Sequence, residues 1–446
     1  MGLPPPRVAD ETKPSTGTVL ATMQLATIGE TEVRRSINIM RTLLGPAFAR
    51  DFDLELWDGT RIPARDESRF TLAINAPFAL RAAFLPPIDL NPGRAYVEKW
   101  IDIRGDAEAA VDVLTRAIGS IPNVKMPMLL GRLLALPKPP PYAEQAPAAE
   151  LRGRRHSKQR DAAAIGFHYD QPIEFYRSFL DERMVYSCAY FDEGVETLEG
   201  AQIAKIDYIL KKIGLKAGEE VLDIGCGWGA LVVRAAQRFG ARVLGITLSR
   251  QQHAEGNRRI VAAGIGDRAR IELLDYRDLG KRVFDKIVSV GMVEHVGRER
   301  LNTYFRTAYR ALRTGGLFLN HGIAHVGTGG YRVTGFMARY VFPDGDLLPI
   351  AEMTRAAEHA GFEVRDVENL REHYARTLRA WTANLESNWD AAIAATDERT
   401  VRIWRLYMAG SAQGFARGRM GLFQSLLAKP DDGNAGVPST RRGLYA

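Results

Sequence analysis

The chain has 446 residues, 46% of them hydrophobic and 25% charged, with a net charge of +7. That size buries a substantial core and suits two domains, and the composition excludes an intrinsically disordered chain. Two cysteines exclude a disulfide framework, and no run of about 18 apolar residues is present to span a bilayer.

Residues 1–25 read as disordered, and MGLPPPRVADETK lacks the basic-then-apolar pattern of an export signal, so the expected location is the cytoplasm. SINIMRTLLGPAF predicts a helix, DFDLELWDGTRIPA two strands turned at Asp58-Gly59, and FTLAINAP further strand. FALRAAFL and the amphipathic DAEAAVDVLTRAIGSI read as helices, completing a small α+β domain over 26–136. It ends in MPMLLGRLLAL, apolar on most sides. Residues 137–160 form a linker, rich in Pro and Ala at first and then basic, with Arg152, Arg154, Arg155, Lys158 and Arg160 close together. A polybasic segment beside an apolar helix suits an interfacial anchor on an anionic membrane; the plainer reading is a solvated linker behind a packed helix.

Residues 161–430 change rhythm. EEVLDIG, ARVLGIT, RIELLDY, KIVSVGM and GLFLNHGI are apolar strands, and ALVVRAAQRF, RQQHAEGNRRIVAAG and RLNTYFRTAYRAL are helices set among them. This alternation predicts an α/β fold with a doubly wound parallel sheet. HYARTLRAWTANLESNWDAAI and RIWRLYMAGSAQGFA follow as helices, GLFQSLLA as a last strand, and 431–446 as a loose tail.

VLDIGCGWG carries the most chemistry. A strand delivers Asp223, and Gly225, Gly227 and Gly229 turn the chain into a helix, letting backbone approach a ligand. The spacing is not the dinucleotide G-x-G-x-x-G, and the next strand ends in GIT without an acid for ribose hydroxyls. The form matches the S-adenosylmethionine turn of Rossmann-like methyltransferases. Thr247, Ser249 and Gln252 then offer neutral hydrogen bonds, and Asp275 with Tyr276 a polar group and an aromatic wall for adenine.

Ten stretches, FHYDQPIEFYRSFLD, MVYSCAYF, LEGAQIAKIDYI, VLDIGCGWG, GITLSRQQ, LLDYRDL, VSVGMVEHVG, NHGI, YVFPDG and HYARTLRAW, resemble the cyclopropane fatty-acid synthases, including the mycolic acid enzymes, over residues 167–429. WDGT and RAYVEKWIDIRGDAEAAVDVL resemble, more weakly, the N-terminal domain of the longer phospholipid enzymes. The resemblance implies a class I methyltransferase that uses S-adenosylmethionine, with Tyr186 and Ser187 joining the cofactor site. It implies methylene transfer to the cis double bond of a phospholipid acyl chain through a carbocation. Tyr186, Tyr190, Phe191 and Tyr374 are candidates to face that cation in a dry site. It further implies a bound bicarbonate as base, held by Cys188, Glu294, His321, the backbone at Ile323, and Tyr374. A thiolate beside a sulfonium methyl would be alkylated, so Cys188 is expected to stay protonated.

Plainer readings stand beside these. Cys188 is otherwise a small buried hydrophobe, Glu294 a helix cap, His321 a core or general-base histidine, and Tyr374 packing. Related outcomes are a methylene- or methyl-branched chain, or methylation of a small amine. A non-catalytic lipid-binding protein is a second class. Nucleic acid is not an expected partner, since GMVEHVG replaces the NPPY-type motif. No metal site is expected. A homodimer and peripheral attachment to the inner face of the membrane are expected from the family.

Overall fold

The computed structural model describes residues 16–120, 126–142, 151, 153–169, 171–327 and 335–444. The chain divides into two units, one of Met1–Asp106 with Val113–Pro141 and one of Ala107–Asp112 with Tyr142–Ala446.

The first unit begins with α1 (Thr16–Leu44), so a helix covers residues expected to be disordered; 1–15 lie outside the described residues. Then come β1 (Phe52–Leu56), β2 (Arg61–Ile62), β3 (Phe70–Ile74), α2 (Ala79–Phe84), α3 (Asn91–Val97), β4 (Ile101–Gly105), α4 (Ala107–Ser120), which crosses the unit boundary, and α5 (Met126–Leu134). Their sheet order is β2-β1-β3-β4. The β1–β2 turn forms at Asp58-Gly59 as expected: Gly59 has φ 88°, and the Asp58 carboxylate accepts from the N–H and hydroxyl of Thr60. Phe52, Leu54 and Leu56 alternate inward, and Phe52 stacks on Phe70 at 5.0 Å across the parallel β1–β3 pair. On α5, Leu129 and Leu133 are buried while Met126, Met128, Leu130 and Leu134 are exposed.

The second unit holds α6 (Lys158–Tyr169), α7 (Ile173–Arg177), α8 (Leu198–Lys212), β5 (Glu220–Ile224), α9 (Ala230–Phe239), β6 (Arg242–Thr247), α10 (Arg250–Ala262), β7 (Ala269–Leu273), β8 (Phe284–Val290), α11 (Leu301–Ala311), β9 (Leu312–His325), α12 (Gly335–Tyr340), α13 (Ile350–His359), β10 (Glu363–Asn369), α14 (Arg371–Ser387), α15 (Trp389–Ala395), α16 (Glu398–Ala416) and β11 (Met420–Ala428). Seven strands run in the order β10-β11-β9-β8-β5-β6-β7. Period-two alternation fills two cores: Val221, Val243 and Ile271 face one side, Leu222, Leu244 and Ile287 the other.

Four expectations change. The sheet is parallel only from β9 to β7, because β11 inserts antiparallel between β9 and β10. The helix expected over 373–393 breaks at Asn388, whose side-chain amide donates to the carbonyls of Asn384 and Ser178 and separates α14 from α15. The tail is tied down: Asp431 pairs with Asn434, Ala435 is buried, and Arg441 reaches Asp366 at 2.8 Å. The basic segment makes ion pairs within the second unit, while Arg154, Arg155 and Lys158 stay half or more exposed. Arg154 pairs with Glu299, Arg155 and Arg160 with Asp344, and Lys158 with Asp278; Arg152 lies outside the described residues.

Candidate active site

Strand β5 ends in a turn that needs glycine. Gly225, Gly227 and Gly229 all have positive φ, of 81°, 54° and 84°, and a Cβ at Gly225 would lie 3.0 Å from Met292. The amides of Gly225 and Cys226 both donate to the Ile246 carbonyl at 3.0 Å, which anchors the turn to β6. The turn opens a cavity of about 1150 Å³, mouth included, at the carboxyl ends of the strands.

Tyr186, Ser187, Asp223, Gly225, Gly227, Thr247, Gln252, Asp275 and Tyr276 line this cavity. Ser249 does not; it is buried as the cap of α10, accepting from the Gln252 amide at 3.2 Å. Thr247 donates its hydroxyl to Gln252 Oε1 at 2.7 Å, so the hydrogens on Gln252 Nε2 are what that side chain offers elsewhere. Asp275 is clasped by Arg277 through bonds of 2.8 and 2.6 Å, and Arg277 also reaches Asp161 at 3.0 Å. Beside it the Tyr276 ring sits edge-on to Tyr304, its hydroxyl pushed up to about 12 by burial.

Several lining residues escape a motif reading. Lys205, on α8 among the buried Ile206, Ile209 and Leu210, donates to Ser187 Oγ at 2.8 Å. Burial lowers Lys205 to about 8 and raises Asp223 to about 7, each opposed by the other's charge. His295 also lines the cavity; Tyr169 meets its Nε2 at 3.3 Å, and burial brings it down to about 4. A lysine inside an apolar helix face was the available signal for Lys205. Nothing local marked Tyr169 or His295.

The five remaining candidates are not among the residues that line the cavity. Cys188 directly follows the lining Ser187, and Glu294 precedes the lining His295. Glu294 Oε1 accepts from the Ile323 amide at 2.6 Å, so that N–H, expected to face an anion, is engaged by the carboxyl instead. His321 lies two residues before Ile323 on the same face of β9, with Nδ1 3.2 Å from Gln424 Nε2. Tyr374 is raised by burial and, less strongly, by the charges of Tyr407, Cys188 and Glu294. Burial pushes the Cys188 thiol up despite Lys205, and the thiol donates to the Ala189 carbonyl at 3.2 Å. Burial raises Glu294 to about 7 and holds His321 well below its ordinary value. Glu294 Oε2 and His321 Nε2 are both buried without a hydrogen-bond partner among the described residues.

Aromatic rings divide into two groups. Tyr186 packs with Trp381 at 5.1 Å, Trp404 at 5.8 Å and Tyr169 at 6.1 Å, and its hydroxyl meets that of Tyr407 at 3.1 Å. Tyr374 joins through Trp381 at 6.1 Å. Tyr190 and Phe191 lie apart from this group: Tyr190 stacks between Tyr208 and His373, and Arg376 covers Phe191. Tyr190 and Phe191 are thus separate from the group that holds Tyr186 and Tyr374, whose other members include Trp381, Trp404 and Tyr407. Among the described residues no group of three or more His, Cys, Asp or Glu side chains is arranged to hold a metal.

A strand order of this kind, with the glycine turn at the head of a cavity, is the class I fold of S-adenosylmethionine-dependent methyltransferases. The comparisons agree. Residues 156–425 match the family model for mycolic acid cyclopropane synthetase. A "probable fatty acid methyltransferase" of Pseudomonas putida is 40% identical over 88% of this chain and 95% of its own. The solved cyclopropane synthase MmaA2 from Mycobacterium tuberculosis is 34% identical, with a TM-score of 0.57 over 60% of this chain and 97% of its own. The solved mycolic acid cyclopropane synthase CmaA1, complexed with SAH and CTAB, is 35% identical, with a TM-score of 0.56 over the same shares. The chain belongs to the mycolic acid cyclopropane synthetase family and is an S-adenosylmethionine-dependent methyltransferase. Family membership supports one-carbon transfer to fatty acyl chains.

Proposed function

We propose that the protein transfers a methylene group from S-adenosylmethionine to the cis double bond of an unsaturated phospholipid acyl chain, closing a cyclopropane. The observation that carries this reading is the pair of buried, unpartnered polar atoms Glu294 Oε2, whose chain neighbour His295 lines the glycine-turn cavity, and His321 Nε2. Buried polar groups are costly without partners, so a small polar guest at this point is favoured. The cofactor supplies an electrophilic sulfonium methyl. Around the acceptor carbon, the faces of Tyr186, Trp381 and Trp404 stabilise positive charge and exclude water. Bicarbonate is the guest that fits: Glu294 and His321 would hold it, and it would supply the base that removes a proton from the added methyl. With its carboxyl raised to about 7, Glu294 is only part-ionised near neutral pH, which lessens its repulsion of that anion. Gas chromatography–mass spectrometry of lipids from cells expressing the chain tests the product. Cyclopropane fatty acids that vanish in Glu294→Gln are expected; methyl- or methylene-branched acids alone would refute ring closure.

The second reading, a fatty-acyl methyltransferase giving a branched chain, is favoured by the name of the Pseudomonas putida relative. One relocated proton acceptor separates the two outcomes.

The substrate chain resides in a bilayer, and we assign the contact with that surface to α5. Its exposed Met126, Leu130 and Leu134, four residues apart, form an apolar face, with Met128 exposed on another side, on a chain of net charge +7. No helix among the described residues is long and apolar enough to cross a membrane, so contact is at the surface. A homodimer is proposed alongside, giving two such contacts; ultracentrifugation showing only a 49.5 kDa species rejects it.

A further inference from the structure

Sheet register places three polar side chains in a row across the antiparallel edge of the second unit. Glu368 on β10 stands opposite Gln424 on β11, and Gln424 stands opposite His321 on β9. Directly opposed residues share a face, so the three side chains are neighbours. Helix α8 covers them with Tyr208 and Lys212, four residues apart and therefore on one side of the helix. Lys212, 1% exposed, donates to Glu368 Oε2 at 2.6 Å and to Gln424 Oε1 at 3.3 Å, and lies 3.3 Å from Asp366. Tyr208 donates to the same Glu368 oxygen at 2.6 Å.

An ammonium only donates, so the amide of Gln424 must turn its oxygen toward Lys212. The reverse orientation would set the NH2 hydrogens of Gln424 against the Lys212 charge. The oxygen being committed, Nε2 of Gln424 is the atom that faces His321 Nδ1, and it can only donate. His321 Nδ1 must then be an acceptor, without a proton. The ring is fully buried between elements that bring Lys205 and Lys212 toward it, and it is neutral, so its single proton sits on Nε2.

We infer that Lys212 and Gln424 are positioning residues that lock His321 in the Nε2–H tautomer, so that the unpartnered Nε2 points a hydrogen-bond donor at an anion. The tautomer rests on the geometry alone; the anion rests on the bicarbonate reading above. A buried cation on the far side of the sheet edge thereby dictates which end of a neutral imidazole can receive a carbonate-like ligand.

The test is nitrogen-15 NMR of the full-length protein labelled at histidine, with the His321 signals assigned by their loss in His321→Asn. Wild type is expected to give a pyrrole-type Nε2 and a pyridine-type Nδ1. Gln424→Glu replaces the donor with an acceptor and is expected to exchange the two signals. Lys212→Met frees the amide to turn and is expected to shift them the same way; should it fail to fold, Gln424→Glu carries the test. A protonated Nδ1 in wild type, or an unchanged pattern in Gln424→Glu, overturns the lock. Adding bicarbonate separates the two claims. Movement of the His321 Nε2 signal in wild type but not in Gln424→Glu supports both. The expected tautomer with no response to bicarbonate supports the lock and counts against the anion.

Discussion

Burial governs the protonation of the groups nearest the proposed chemistry. The Cys188 thiol is held up, and it already donates to a backbone carbonyl, as a protonated sulfur does. A thiol is a poor nucleophile beside a sulfonium methyl. Peptide mass spectrometry after turnover with methyl-labelled cofactor should therefore find no label on Cys188; a methylated Cys188 contradicts this. Glu294 makes a pH prediction whose sign follows from burial. Its carboxyl rises from 4.5 to about 7 on folding, so between those values the folded chain binds a proton that the unfolded chain has lost. Stability from this group is present below pH 4.5 and declines as pH rises through 7, by on the order of 3 kcal/mol. Asp223 adds a decline of the same direction. Urea unfolding of Glu294→Gln should fall less steeply than wild type over this range. Parallel curves would mean that Glu294 ionises normally.

At the level of elements, the glycine turn combines two constraints that differ along its length. A Cβ at Gly225 meets both a left-handed φ and Met292 at 3.0 Å, whereas at Gly227 it meets nothing within 4 Å. Left-handed backbone costs about 1–2 kcal/mol for a non-glycine residue, and crowding adds to it only at Gly225. Gly225→Ala should lower thermal stability more than Gly227→Ala, and the reverse order would show that Met292 gives way. The turn and the apolar strands were legible because burial on both faces writes a continuous hydrophobic run. Strand β10 was not, since EVRDVEN is an edge strand with mostly half-exposed side chains. The row Glu368, Gln424 and His321 was invisible for another reason: it exists only through register across three strands distant in sequence. The same holds for the aromatic group, where Tyr186 meets Trp404 and Tyr407 more than 200 positions away. Around Tyr186 the chain is irregular, so no periodicity separates Tyr186 from Tyr190.

For the molecule as a whole, the charge and the apolar helix were read from composition, and the structure shows where those side chains lie. The basic 152–160 segment spends its described side chains on ion pairs with acids of the second unit, so the bilayer contact proposed above falls to the exposed apolar side chains of α5. Binding to anionic vesicles should weaken several-fold in Met128→Glu with Leu130→Glu, and should fall with salt. Equal sedimentation with neutral vesicles at high salt contradicts the surface model. The family chemistry and this surface meet in one claim: a methyl enters the chain and loses a hydrogen before release. Purified protein given trideuteriomethyl cofactor and unsaturated phospholipid measures this directly by mass spectrometry and proton NMR of the product. A cyclopropane ring that keeps two of the three deuterium atoms is the expected result; a branched chain that keeps all three contradicts it.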